Sequence, residues 1–201
     1  ATSEPTRAER KDFFRMVEAG NFDGIKEVIA KYPGAQNWQC PGGMHHGKTP
    51  LIMAVYGTAP LETIRFLLQC GAEVDKADKT GCTPLAHAVF SNNVALAELL
   101  LANRATPDIC DRYGETPLMA AAANNQWECA DLLVIAGARI DKRNNYGRTA
   151  LDIAKQNGHA EIIDIMKAAA ERLANAKAEK AARADLPETS AEIRVAKPIQ
   201  L

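Results

Sequence analysis

Apolar residues along this chain fall in short blocks at helical spacing, and the blocks come in pairs. Phe13, Phe14, Met16 and Val17 suit one buried face of a helix. Gly20-Asn21 breaks the chain, and Phe22, Ile25, Val28 and Ile29 supply a second face. The same plan then recurs: a helix of small residues, a polar break, a Leu-rich helix and a turn. Two examples of the second half are Phe66-Leu67-Leu68-Gln69-Cys70-Gly71-Ala72 and Leu132-Leu133-Val134-Ile135-Ala136-Gly137-Ala138. From Ala160 the helical pattern runs through Ile162, Met166, Ala169 and Leu173, then turns Ala/Lys/Glu-rich to about Ala184. At 1.5 Å per residue this last helix would span roughly 37 Å. Glu179 and Arg183 form an i,i+4 pair on it, and Pro187 ends it. The remaining tail carries Ile193, Val195, Ile199 and Leu201. It could fold back, stay disordered or act as a linear recognition segment.

The pairs are in register. Gly47-Lys48-Thr49-Pro50-Leu51 recurs as Gly81-Cys82-Thr83-Pro84-Leu85, as Gly114-Glu115-Thr116-Pro117-Leu118, and as Gly147-Arg148-Thr149-Ala150-Leu151. The threonines are spaced by 34, 33 and 33 residues. Thr suits a helix N-cap, because its hydroxyl accepts a bond from an otherwise unpaired amide. Pro suits the first helical position, where its missing N–H costs nothing. Gly before them permits a tight turn, and Gly71 and Gly137 close the second helix.

These motifs resemble the ankyrin repeat family over roughly residues 8–170. The resemblance implies an all-α solenoid of stacked helix-turn-helix units joined by β-turn fingers. The chain then divides into an N-terminal arm (1–7), a capping repeat with a lengthened first finger (8–46), and repeats at 47–80, 81–113 and 114–146. A fourth repeat with an extended C-terminal helix (147–184) and a tail (185–201) complete it. Two departures stand out. The family's His after Thr-Pro-Leu is replaced by Ile52, Ala86, Met119 and Asp152, so some hydrogen bonding between repeats should be lost. Arg104 occupies the register of Gly71 and Gly137, where a left-handed backbone would cost about 1 kcal/mol.

In this family the contact surface is usually the row of finger tips with the exposed side of each first helix. Register selects His45, His46, Lys48 and Tyr56, then Lys79, Thr80, Cys82, Phe90 and Ser91. It continues with Cys110, Arg112, Tyr113, Glu115 and Asn124, and with Arg143, Asn145, Tyr146, Arg148, Gln156 and Asn157. Aromatic residues and Arg dominate interface hot spots. Five cations face one Glu here, a balance that nearby Asp78 and Asp111 reduce, so an acidic or phosphorylated partner is expected. The first finger holds about five extra residues, and its Trp38 and Cys40 mark either a recognition loop or the closure of an exposed core end.

Composition narrows the function classes. Apolar residues at 47% with no run of membrane-spanning length indicate no membrane partner. A net charge of −1 argues against nucleic acid. Five cysteines, an odd number without a CxxC pair, indicate reduced thiols and favour the cytoplasm. The start at Ala1 fits Met removal, signal cleavage or a chosen boundary, so secreted, periplasmic or host-delivered locations stay open. Cys40, His45 and His46 lack a fourth ligand, so no metal is expected there. Cys70 and Cys129 read as core fillers, Cys82 and Cys110 as exposed finger residues, and Trp127 as a packing residue. No nucleophile, phosphate-loop or zinc-protease motif occurs, so neither catalysis nor a cofactor is expected. The leading reading is a monomeric protein-interaction module serving as adaptor, inhibitor or regulator. The competing readings are an effector or enzyme-associated protein acting through its partner or tail, and a protective scaffold with broad, weak binding.

Overall fold

The computed structural model describes residues 4–41, 47–57 and 59–184, with side chains described as far as 179. Short helices need strong start signals, and the repeated threonines provide them. Thr49, Thr83, Thr116 and Thr149 each accept an N–H bond on the hydroxyl at 3.2 Å, from Ile52, Ala86, Met119 and Asp152. Ten α-helices result: α1 Arg7–Glu18, α2 Phe22–Lys31, α3 Pro50–Tyr56, α4 Leu61–Gln69, α5 Pro84–Phe90, α6 Val94–Ala102, α7 Pro117–Ala123, α8 Trp127–Ile135, α9 Ala150–Asn157 and α10 Ala160–Ala184. A 3-10 turn, Ala35–Asn37, follows α2. The described residues contain no strand.

The helices form five antiparallel hairpins stacked in chain order. The first helices pack on each other as α1, α3, α5, α7 and α9, while α6, α8 and α10 do so in the outer row. Helices α3, α5 and α7 have seven residues each, too few to persist alone in water. Their stability comes from burial: Leu51, Leu85 and Leu118 have no exposed surface. Ala120, Ala121 and Ala122 are also buried, and their small size suits the close approach of α5 and α9 on either side of α7. One continuous core extends from Phe13 to Met166.

The turns after the second helices are tied to one another by side chains. Asn37 accepts from the Glu73 N–H at 2.8 Å and donates to the Gly71 carbonyl at 3.1 Å. Asp75 accepts from the Thr106 N–H at 2.9 Å and its hydroxyl at 2.6 Å. Asp108 accepts from the Arg139 N–H at 2.9 Å. Each tie crosses from one hairpin to the next.

Arg104 is left-handed, with φ of 67°, matching Gly71 at 83° and Gly137 at 87°. Two other expectations are corrected. Cys82 is buried: Lys48, Glu115 and Arg148 are half-buried at the same register, and the shorter thiol side chain does not extend beyond the finger as theirs can. Trp127 is 49% exposed, since it opens α8 on the side away from the core. Cys129 is buried and Cys70 half-buried, and Cys110 is only partly exposed. Helix α10 runs over the expected residues, while the tail lies outside the described ones.

The N-terminal hairpin is pinned by one carboxylate. Glu9 closes a capping box with Thr6 and accepts from Lys31 Nζ at 3.0 Å and the Tyr32 hydroxyl at 2.8 Å. The Thr6 N–H foremost, then Lys31, Tyr32 and the Thr6 hydroxyl, lower its pKa from 4.5 to about 2. A depressed carboxylate stabilises the fold above its unfolded pKa and loses that contribution as pH falls through the folded one. In a comparison of thermal melts, wild type should therefore lose more stability than Glu9→Gln between pH 4.5 and about 2; parallel pH curves would refute this. Arg104→Gly should gain about 0.5–1 kcal/mol in denaturant unfolding, because it removes the left-handed penalty. An unchanged or lowered midpoint at equal slope would show that Arg104 is unstrained.

Candidate partner-binding surface

The three fingers after the first are built on one side-chain device. An Asx residue three positions before Gly81, Gly114 and Gly147 turns back on its own loop. Asp78 Oδ1 accepts from the N–H groups of Thr80 at 2.8 Å and Cys82 at 3.2 Å. Asp111 Oδ1 accepts from Tyr113 at 2.8 Å and Glu115 at 2.9 Å. Asn144 Oδ1 accepts from Tyr146 and Arg148, both at 3.0 Å. The readable signal was the recurrence of Asp, Asp and Asn at 78, 111 and 144, in register with the glycines.

Adjacent fingers are joined through backbone. Arg112 donates its N–H to the Thr80 carbonyl at 3.1 Å, and Asn145 to that of Tyr113 at 3.0 Å. Asn145 adds a side-chain bond to the Arg112 carbonyl at 3.1 Å. This spacing requires the repeat glycines. A Cβ on Gly81, at φ 85°, would sit 3.0 Å from Asp111 Cα, and one on Gly114 would sit 2.6 Å from Asn145 Oδ1.

On this rigid row the predicted aromatics are exposed: Tyr56 at 58%, Phe90 at 46%, Tyr113 at 46% and Tyr146 at 67%. Three of them carry a predicted cation over the ring. Lys48 Nζ lies 3.6 Å from the Tyr56 centroid, and the guanidinium carbons of Arg112 and Arg148 lie 4.9 and 5.5 Å from those of Tyr113 and Tyr146. Tyr56 and Phe90, with Val55, His87 and Ser91, line a shallow cavity of about 240 Å³ between the first two full hairpins. Lys79 is exposed, with its methylenes against the turn at Gly47.

Other predicted residues are engaged within the chain. Arg143 donates to the Gly147 carbonyl at 2.5 Å and lies 3.9 Å from Asp152. Arg148 and Gln156 bond each other at 3.1 Å. Glu115 is half-buried and receives a long bond of 3.4 Å from Asn144. Asn124 caps α7 by donating to the Ala120 carbonyl at 3.0 Å, and Asn157 reaches the Ala123 carbonyl at 3.2 Å. His45 and His46 lie outside the described residues.

Trp38 and Cys40 themselves pack against the capping hairpin, while 42–46 of the long finger lie outside the described residues. Trp38 is half-buried, edge-on to Phe13 at 5.5 Å, beside Tyr32 at 5.7 Å, and covered by the Arg10 guanidinium at 5.2 Å. Cys40 is buried, and its backbone pairs with Lys48 at 2.9 Å and Gly47 at 3.1 Å. An aromatic from the long finger thus covers the outer side of the capping hairpin's core. The family His is absent at the expected position, yet His87, one residue later, bonds Asp78 at 2.9 Å. Away from the fingers, an apolar groove of about 440 Å³ runs between Gly137–Asp141 and the Ala170, Leu173 and Lys177 positions of α10.

A family model described as ankyrin repeats (3 copies) matches residues 13–111 and again 91–176. The chain belongs to the ankyrin-repeat family. Ankyrin repeats are in general protein-interaction modules, and the family is typically non-enzymatic. A comparison with curated proteins found no match. No described helix is long and apolar enough to cross a membrane.

Proposed function

We propose that this protein is an adaptor, inhibitor or regulator that docks a protein partner on its finger row and the adjoining side of its first helices. The observation that carries the reading is the set of cation-covered, exposed aromatics: Lys48 on Tyr56, Arg112 on Tyr113 and Arg148 on Tyr146. A cation resting on a ring face is held in place, while its remaining N–H groups stay available to acceptors. Carboxylates or phosphates on the partner fit this display, and the rings offer rigid apolar area at little entropic cost. Of the arginines, Arg112 is the strongest anchor, because among the described residues no side-chain hydrogen bond of the kind that occupies Arg143 and Arg148 competes for it. The same reading makes the chain a cytoplasmic monomer that binds its partner directly.

Crosslinking and mass spectrometry on a pull-down identify the partner, and titration of purified proteins then weighs the residues. Arg112→Glu and Tyr113→Ala should each weaken binding by about 10-fold or more. Arg143→Glu should have the smaller effect. Affinity unchanged by charge reversal at all of Arg112, Arg143 and Arg148 would eliminate the acidic-partner reading.

A further inference from the structure

We propose that Asp78, Cys82 and His87 form a transition-metal site that takes zinc or cobalt, with a fourth position left to water. The carboxylate oxygen, thiol sulfur and imidazole nitrogen lie within 4.8 Å of one another. Asp78 and His87 are 6% and 14% exposed at the side chain, and Cys82 is buried, so the set is enclosed by the finger and α5. Zinc accepts all three donor types, and three protein ligands with one open position is a recurring zinc arrangement.

The fold does not demand these residues. The corresponding positions in the next hairpins hold Asp111, Glu115 and Ala120, then Asn144, Arg148 and Ile153. The finger therefore needs an Asx residue at the first position, but neither a thiol at the second nor an imidazole at the third. His87 stands where Met53, Ala120 and Ile153 stand in the other repeats, all three of them buried. Placing a polar ring in an apolar register costs free energy unless it has a partner, and here the partner is Asp78 Oδ2 at 2.9 Å.

The donors are also held in place. Asp78 Oδ1 takes the Thr80 N–H at 2.8 Å, the Thr80 hydroxyl at 2.5 Å and the Cys82 N–H at 3.2 Å, which directs Oδ2 toward His87. Outer bonds of this kind orient the ligands of known metal sites. Tyr56 packs edge-on against the His87 ring at 6.0 Å. On binding, the metal takes the place of the hydrogen bond between Nε2 and Oδ2: the displaced hydrogen exchanges through solvent so that His87 ligates as a neutral imidazole with its N–H on Nδ1, and the thiol proton leaves to solvent.

Cobalt(II) titration of the reduced full chain tests this. The expected result is a thiolate-to-cobalt absorption band that saturates at one equivalent and is displaced by zinc. Cys82→Ser should abolish the band, and His87→Ala should weaken cobalt binding by roughly 100-fold or more. Cys110→Ser should leave the band intact. Zinc should raise the melting temperature of wild type but not of Cys82→Ser, whose fold is checked by circular dichroism. Absence of a stoichiometric band overturns the proposal. So does a band that survives Cys82→Ser, or one removed by Cys40→Ser or by His45→Ala with His46→Ala.

Discussion

Each hairpin of this protein has an apolar face that its own two helices cannot cover, and the next hairpin supplies the cover. Seven-residue helices such as α5 and α7 are too short to form alone, yet Leu85 and Leu118 are wholly buried. Their burial is shared between consecutive units, so stability is a property of the array. This constraint sets the regular spacing of the capping threonines, since a shifted unit would present the wrong face to its neighbour. It also explains the ends. The first hairpin closes its core with Trp38 from a lengthened finger, and the last unit extends α10 into a long helix with a polar outer surface.

Once the helices are fixed in this way, the fingers can differ without loss of fold. Their shape rests on Asp78, Asp111 and Asn144, on the Asn145 side chain and on the backbone bonds between neighbours, so the rings at the tips carry little structural duty. That freedom is used for Tyr113 and Tyr146 with their cations, beside Tyr56 at the end of α3 under Lys48. It is also used at the second full repeat, where His87 and Cys82 depart from the register. Both proposed roles therefore rest on the side chains each finger presents and not on the repeat itself.

Much of the architecture was legible because it is encoded locally. Thr at an N-cap, Pro at the first helical position and Gly at a left-handed turn each act within a few residues. The same logic marks Arg104 by its register with Gly71 and Gly137, and its φ is 67°. The exposed aromatics were likewise readable, because repeat register states which side of a finger a residue occupies. Trp38, Cys82, Trp127 and Glu115 were less legible, since their exposure depends on what the adjacent unit places against them.

The sequence by itself thus determined the hairpins, their caps, their number and the residues offered at the finger tips. The tertiary structure alone decided which cations lie on which rings, which arginines are occupied, and that Asp78, Cys82 and His87 converge. The physical reason is range. Capping and turn preferences act over three or four residues, whereas burial and side-chain encounters are fixed by the packing of one hairpin on the next, some 33 residues away.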